Sequence, residues 1–238
     1  MQSVGIVMAM QVEAASLLQQ LQRATHRPAV GLQISEGYIG RAHVVLTVAG
    51  IGKVAAALGT QRLCDSYHLR GLIVAGLAGR LVPQLSRGTI VVANESAQHD
   101  FDARPFAHTI GLLPHLNVDA FQCDPQILNA EVEATLALSR DSPPSPAVTG
   151  LVVSGDHIIR SRQEQRRILR WRPDALCVDM ETAAVAQVAT QNATPWGAVR
   201  IISDDADESL DVSEVLAYTQ HQAAVALASV LVHTVEAL

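Results

Sequence analysis

Short, continuous aliphatic runs alternate with longer Ala- and Leu-rich stretches along most of this chain. A strand that is apolar at every position has to be buried on both faces, as in a parallel sheet covered by helices. Such strands are predicted at residues 4–10, 43–48, 72–75, 89–93, 150–153, 175–179 and 197–202. The pattern predicts an α/β fold with three layers, α/β/α, around a central mixed, largely parallel twisted sheet.

The stretches between these strands have the spacing and composition of helices. Helices are predicted at residues 12–23, 53–67, 182–191 and 213–235. The chain contains no repeat and no long linker, so we expect residues 1–238 to form a single domain. The Pro-rich patch at 142–146 is expected to be a surface turn.

Charge and cysteine content exclude several classes of function. The formal net charge is −6, and Lys53 is the only lysine, so the chain lacks the basic field of a nucleic-acid or anionic-membrane binder. No apolar run approaches the ~20 residues of a membrane span. Cys64, Cys123 and Cys177 are too few and too widely spaced for a disulfide framework or a zinc site. We expect a cytoplasmic protein without metal, nucleic-acid or membrane partners.

Carboxylates cluster just beyond the ends of the predicted strands, where α/β sheets bind ligands. Glu13 follows the first strand, Asp179 and Glu181 follow the run ALCV of the sixth, and Asp204 follows the seventh, four residues after Arg200. Taken singly, each has a structural explanation, such as the helix dipole for Glu13 or an N-cap for Asp204. Together they predict a site that accepts hydrogen bonds from hydroxyls and transfers protons.

Other motifs carry weaker signals. The glycine loops at 50–53 and 76–79 lack the spacing of nucleotide-binding motifs and indicate close backbone approach instead. The Arg-rich stretch 160–172 is interpreted as a solvated helix face. The acidic run 204–211 lacks the central glycine and terminal Glu of a calcium loop.

Several blocks of the sequence resemble one enzyme family. They are VGIVMAMQVEA (4–14), AGIGKVAAA (49–57), AGLAGRL (75–81), RGTIVVANESAQHDFDA (87–103), GLVVSGDHII (150–159), VDMETAAVA (178–186) and AVRIISDDAD (198–207). In this order they resemble the nucleoside phosphorylase/hydrolase superfamily, and within it the bacterial 5′-methylthioadenosine/S-adenosylhomocysteine nucleosidases.

The resemblance implies hydrolysis of the N-glycosidic bond of a 5′-thio-substituted adenosine through an oxocarbenium-like transition state. It makes Asp204 the general acid at purine N7 and Glu181 the acceptor for the ribose 2′- and 3′-hydroxyls. Glu13 orients and deprotonates the attacking water, and Arg200 holds the water and its carboxylate partners. Neither a metal nor a cofactor is implied.

The resemblance also implies the walls of the site and the partners. Substrate-binding residues would be Met10, Ile51, Ala78, Gly79, Ile158, Ile159, Asp179, Met180 and Ser203. Phe106, with Ile110 and Pro114, would join the 5′ pocket from a neighbouring subunit. The implied partners are a purine nucleoside, water and a second copy of the chain, in a homodimer that serves methionine salvage.

Four positions depart from the family pattern. Leu77 stands where the glycine loop usually has serine, a residue that helps to bind phosphate in phosphorylases. Asp179 replaces Glu, while Ile158 and Val212 stand at positions that often carry phenylalanine. Two alternatives therefore remain: hydrolytic or phosphorolytic cleavage of another 5′-substituted purine nucleoside, of hopanoid or futalosine type, and a non-catalytic nucleoside binder.

Overall fold

A computed structural model describes residues 2–29, 31–104, 106–141 and 147–238, and the turn predicted at 142–146 lies outside them. The strands are β1 (Ser3–Met8), β2 (Gln22–Ala29), β3 (Leu32–Ile39), β4 (Ala42–Val48), β5 (Leu69–Arg80), β6 (Ile90–Gln98), β7 (Phe121–Gln122), β8 (Ala147–Ser154), β9 (Ala175–Asp179) and β10 (Trp196–Asp204). The helices are α1 (Gln11–Gln20), α2 (Lys53–Ser66), α3 (Pro125–Asp141), α4 (Arg162–Trp171), α5 (Thr182–Gln191), α6 (Val212–Tyr218) and α7 (Ala224–Ala237). A π-helical turn (Thr219–Ala223) joins α6 to α7.

The strands form one mixed sheet in the order β10-β6-β8-β9-β5-β1-β4-β3-β2. Parallel pairings join β1 to both β4 and β5, β5 to β10, and β8 to both β6 and β9. Because β10 pairs with β5 as well as with β6, the strands β5, β10, β6, β8 and β9 close into a ring. An antiparallel meander of β2, β3 and β4 extends the other edge.

Helices cover both faces of the sheet, as the three-layer prediction requires. On β1, Ile6 packs into a core shared with α1, α3 and α7, whereas the next residue, Val7, packs into a core shared with α2 and α5. Both side chains are almost completely buried. Consecutive apolar residues on a strand point to opposite faces, so the continuous apolar runs serve two cores at once.

The α/β prediction is confirmed, and the bounds of some elements are corrected. β9 and α5 occupy the predicted residues, but β1 ends at Met8 instead of residue 10. The first helix ends at Gln20 instead of residue 23, because Leu21 has extended dihedrals and Gln22 pairs with Tyr38. The strands β2 and β3 went unpredicted, since their polar residues hide the apolar alternation of a meander at the edge of a sheet.

The C-terminal helical segment bears on the expectation that no part of the chain is long and apolar enough to span a membrane. Residues Val212–Ala237 form one helix that is long and apolar enough to cross a membrane by length and composition. These two criteria are weak evidence, because core helices also meet them. In this fold Leu227, Val230 and Leu231 of α7 are completely buried against the sheet and neighbouring helices.

Candidate active site

A cleft opens at the carboxyl ends of several strands. Met10 and Glu13 follow β1, Ile51 follows β4, and Ile158 and Ile159 follow β8. The last residues of β5, β9 and β10 complete the floor. The topology therefore brings together most of the residues that the sequence placed in the site, from segments as far apart as residues 10 and 204.

The guanidinium of Arg200 lies beneath the floor of this cleft, almost completely buried. Its Nη2 forms an ion pair with Asp179 Oδ2 at 2.7 Å, and Nη1 lies 3.6 Å from Glu181 Oε2. Its Nε donates to Thr182 Oγ1 at 2.9 Å. Arg200 is thus a support for the carboxylates of the site, placed to hold them at fixed separations.

Glu13 is buried at the start of α1. Its Oε2 accepts a hydrogen bond from the Met10 amide at 2.8 Å, and Oε1 accepts one from the Leu77 amide at 3.0 Å. Burial raises the pKa of Glu13, although the charge of Arg200 opposes this shift. A carboxylate with a raised pKa is a stronger base toward water, which suits the predicted role.

Gly76 allows Glu13 and Arg200 to approach the backbone of β5. A Cβ at this position would lie 2.6 Å from Arg200 Nη1 and 2.8 Å from Glu13 Oε1. Any side chain would therefore displace both charged groups. This is the close approach that the glycine loop at 76–79 predicted.

Glu181 is held from the opposite side of the cleft. Its Oε1 accepts a hydrogen bond from the Gly52 amide at 2.9 Å, and Gly52 has a φ of 100°. Burial raises the pKa of Glu181 to about 7, with Arg200 opposing and Asp179 adding to the shift. A carboxylate that lines a cleft can accept hydrogen bonds from hydroxyl groups, and such donation favours its charged form.

Asp204 ends β10 and is partly exposed to the cleft. Its Oδ2 accepts from Ser203 Oγ at 2.6 Å, and Oδ1 accepts from the Ala206 amide at 2.9 Å. The alternative interpretation of Asp204 as a helix N-cap is wrong, because Asp211 caps α6 by accepting from the Ser213 and Glu214 amides. Asp204 is thus oriented by two donors beside a ligand-sized space.

Asp179 has a different environment from the other carboxylates. Its side chain is about 1% exposed, and both oxygens are engaged by Arg200, Thr182 and Ser154, whose hydroxyl donates to Oδ1. The predicted substrate-binding residue Asp179 therefore lines the cleft but has its carboxylate turned into the supporting network. Its contacts are those of a group that orients Arg200.

Most of the predicted residues line the cleft, and four do not: Arg200, Phe106, Ile110 and Pro114. The lining includes Met10, Glu13, Ile51, Ala78, Gly79, Ile158, Ile159, Asp179, Met180, Glu181, Ser203 and Asp204. Arg200 lies below the surface, as described above. Phe106 lies outside the lining and is 88% exposed.

Part of the lining was missed from the sequence. His157, Leu210, Val215 and Leu216 border the cleft, together with Val212, which the sequence had singled out. Val212, Val215 and Leu216 share one face of α6, a helix without buried residues. Their helical spacing at the start of the C-terminal helix was visible in the sequence, but nothing there indicated that this face meets a ligand cleft.

Comparison with known proteins agrees with this geometry. Residues 3–236 match the family model described as "Phosphorylase superfamily". The chain belongs to the phosphorylase superfamily. Among its curated relatives, the 5′-methylthioadenosine/S-adenosylhomocysteine nucleosidase of Shewanella denitrificans is 32% identical over 231 residues, which cover 96% of this chain and 98% of the relative.

Solved structures of other proteins share the fold. The 5′-methylthioadenosine/S-adenosylhomocysteine nucleosidase of Colwellia psychrerythraea 34H in complex with adenine is 32% identical, with a TM-score of 0.92, over 100% of this chain and 96% of that one. The futalosine hydrolase of Helicobacter pylori strain 26695 is 25% identical, with a TM-score of 0.89, over 100% and 98%. The resemblance stated from the sequence blocks is therefore confirmed. Within the described residues of this superfamily member, no group of three or more His, Cys, Asp or Glu side chains is arranged to hold a metal.

Proposed function

We propose that this chain hydrolyses the N-glycosidic bond of 5′-thio-substituted adenosines, such as methylthioadenosine and S-adenosylhomocysteine, to adenine and the corresponding thioribose. The observation that carries the proposal is the convergence of Glu13, Glu181 and Asp204 on one cleft above the buried Arg200. The similarity to nucleosidases over nearly the whole chain supports the same substrate class.

Departure of the base is assigned to Asp204. It protonates or hydrogen-bonds the purine at N7, so that adenine leaves as a neutral molecule. The Ser203 hydroxyl and the Ala206 amide hold the carboxyl in place. Backbone atoms near Ile158 and Ile159 form hydrogen bonds with the edge of the base. Positioned proton transfer of this kind contributes about 10²–10⁴-fold to a rate.

Binding of the ribose is assigned to Glu181. As the glycosidic bond breaks, positive charge develops on the sugar ring, and a carboxylate bound to the 2′- and 3′-hydroxyls stabilises this charge while fixing the ring. Preorganised electrostatic groups are effective because they need no reorganisation during the reaction. The Gly52 amide and Arg200 supply that preorganisation here.

Water attack is assigned to Glu13. Its raised pKa equips it to accept a proton from water as the nucleophile adds to the anomeric carbon. The amides of Met10 and Leu77 fix both of its oxygens. The proton thus moves to Glu13 on the sugar side, while the proton on the base side comes from Asp204.

Water is favoured over phosphate as the nucleophile by the charge of the cleft. In the charged forms that their assigned roles require, Glu13 and Glu181 place negative charge around the reacting centre, and Arg200 beneath them is paired with carboxylates. A phosphate dianion would be repelled by such a lining. Leu77, at the position of a phosphate-binding serine in phosphorylases, presents no hydroxyl to it.

The 5′ substituent is assigned to an apolar wall that includes Val212, Val215 and Leu216. Such a wall favours a thioether over a phosphate. We further propose that a second copy of the chain completes this pocket with Phe106, whose side chain is 88% exposed and therefore free to pack against a partner. The homodimer would be cytoplasmic and would act in methionine salvage.

A nucleoside panel tests the proposal. Purified chain is incubated with methylthioadenosine, S-adenosylhomocysteine, futalosine and inosine, with and without phosphate, and free base is measured. We expect adenine from the first two substrates, independent of phosphate, and a free thioribose product. Release only with phosphate, with a sugar 1-phosphate as product, would show a phosphorylase. Tight nucleoside binding without release of any base would show a binder.

A further inference from the structure

We propose that Lys53, the only lysine of the chain, is a positioning residue for the ribose-binding carboxylate Glu181. The inference rests on the proposed function, since it assigns a cause to the geometry of that carboxylate. Lys53 lies outside the lining of the cleft and so acts through other residues. Its ammonium and its backbone amide tie together three loops that border the site.

The first tie is made by the ammonium group. Lys53 Nζ forms an ion pair with Asp100 Oδ1 at 2.6 Å and donates to Gln98 Oε1 at 3.0 Å. The side chains of Lys53 and Asp100 are only 17% and 23% exposed. These contacts join the loop after β4 to the loop after β6. Gln98 continues the connection to α5 by donating from Nε2 to Gln187 Oε1 at 2.8 Å.

The second tie is made by two aspartates and backbone amides. The Lys53 amide donates to Asp156 Oδ1 at 2.7 Å, and the Asp156 amide donates to Asp100 Oδ2 at 2.8 Å. Asp100 therefore receives both the Lys53 ammonium and the loop after β8. These bonds form a closed circuit through Lys53, Asp100 and Asp156. Asp156 immediately precedes the cleft residues His157 and Ile158.

Gly52 connects this circuit to the reaction site. It is the residue before Lys53, and its amide donates to Glu181 Oε1 at 2.9 Å. Its φ of 100° gives the loop its sharp path, and a Cβ there would lie 3.1 Å from Asp156 Oδ1. The direction of the Gly52 amide is thus fixed from one side by Glu181 and from the other by the bonds of Lys53.

Helix stability does not explain a lysine at this position. Lys53 is the first residue of α2, where the helix dipole disfavours a positive charge. The N-cap Gly52 offers no side-chain cap, and the first turn holds no acidic residue. An acidic residue would stabilise the start of α2 better, so the lysine is accounted for by its contacts with Asp100 and Gln98.

The test compares Lys53→Met and Lys53→Arg with a matched control, Arg172→Met. Arg172 is also 17% exposed, pairs with Glu95 and Asp174, and does not line the cleft. Two quantities are measured: hydrogen exchange of the Gly52 amide without substrate, and kcat and KM for methylthioadenosine and for its 2′,3′-dideoxy analogue. Asp100→Asn is a second variant that weakens the same ion pair if Lys53→Met does not fold.

We expect Lys53→Met to raise the exchange rate of the Gly52 amide at least about tenfold, since local opening frees it. It should lower kcat/KM for methylthioadenosine about tenfold to a hundredfold, as misplacement of a binding group does. The dideoxy analogue, which lacks the hydroxyls, should lose less than about twofold, because Glu181 has nothing to hold. Lys53→Arg should restore most of the activity, and Arg172→Met should behave as wild type.

Two results would overturn the inference. One is an unchanged exchange rate of the Gly52 amide in Lys53→Met or Asp100→Asn. It would show that the Lys53–Asp100 ion pair does not position Gly52, whatever the activity. The other is an equal loss for both substrates, which would show a general effect on the fold. Failure of the proposed function is separate: the wild type itself would release no adenine, while the exchange of Gly52 would still report on the circuit.

Discussion

At the scale of single residues, the site is organised around charges that are costly to bury and are therefore held by specific partners. Arg200 is buried with carboxylates on two sides, and Glu13 is fixed through both of its oxygens. A buried charge is tolerated only where paired groups and hydrogen bonds replace water. The removal of single functional groups should therefore separate their chemical roles from their structural ones.

Asp204→Asn is expected to lower kcat for methylthioadenosine by at least about 10²-fold, because the amide cannot supply the proton to N7. The carboxyl is partly exposed, and asparagine has nearly the same shape, so the melting temperature should change little. Release of adenine is followed at saturating substrate. Undiminished turnover in this variant would refute the assignment of the proton donor.

Glu131 provides a residue-scale prediction away from the site. It is completely buried on α3, beside Gly197 of β10, and burial raises its pKa well above the usual value, against a smaller opposing effect of the Ala198 backbone. The folded protein therefore keeps a proton that the unfolded chain releases above pH ~4.5. As pH rises from that value toward the raised pKa, this residue alone makes folding less favourable by about 1.4 kcal/mol per pH unit.

Glu131→Gln should remove this contribution. The free energy of unfolding is measured with urea at several pH values between about 5 and 8. As pH rises, the free energy of unfolding of the variant should increase relative to that of the wild type. Glu133→Gln, at an exposed position of the same helix, is the control and should leave the pH dependence unchanged. Parallel curves for wild type and Glu131→Gln would mean that Glu131 is ionised in the folded state.

At the scale of secondary-structure elements, the sequence predicted what repeats locally and missed what depends on distant contacts. The buried parallel strands and α5 were predicted because their runs of apolar residues indicate burial directly in the sequence. The meander strands β2 and β3 carry polar residues on an exposed edge and give no such signal. The carboxylates at the strand ends were predicted because α/β sheets bind ligands at the carboxyl ends of their strands. The α6 wall was not, since its apolar face is explained only by a cleft built from other segments.

Leu216→Gln tests the role of α6 as that wall. Leu216 is 44% exposed and borders the cleft, so a polar side chain should raise KM for methylthioadenosine about tenfold by removing apolar contact with the 5′ group. The free energy of unfolding should change by less than about 0.5 kcal/mol. Leu136→Gln, on α3 and 55% exposed outside the cleft, is the matched control. Equal KM values for Leu216→Gln and wild type would remove α6 from the substrate site.

At the scale of the whole molecule, several large apolar side chains stay exposed near the cleft segments. Ile51 is 59% exposed, Val54 80%, Leu58 54% and Phe106 88%. Val54 and Leu58 lie four residues apart on α2, and Ile51 lies in the loop just before this helix. An apolar surface of this kind marks an interaction site, which agrees with the proposed second subunit.

Phe106→Asp is expected to weaken the dimer and to raise KM for methylthioadenosine in the same variant. A charge buried against an apolar partner surface costs several kcal/mol. Light scattering across a dilution series gives the mass, and adenine release gives KM. Val225→Asp, at a residue of α7 that is 54% exposed, is the control. A monomeric wild type with full activity would contradict the proposed shared pocket.

The ring of strands has a consequence for how this protein opens. Between Val199 and Ile201, β10 pairs with β5 on one side and with β6 on the other, and Arg200 lies in this doubly paired stretch. A strand paired on both sides can separate there only if two sets of backbone hydrogen bonds break, so we expect these amides to be among the last to exchange. Local opening of the loops around the cleft would then leave Arg200 in place, so that displaced carboxylates return to the same fixed charge when the loops close.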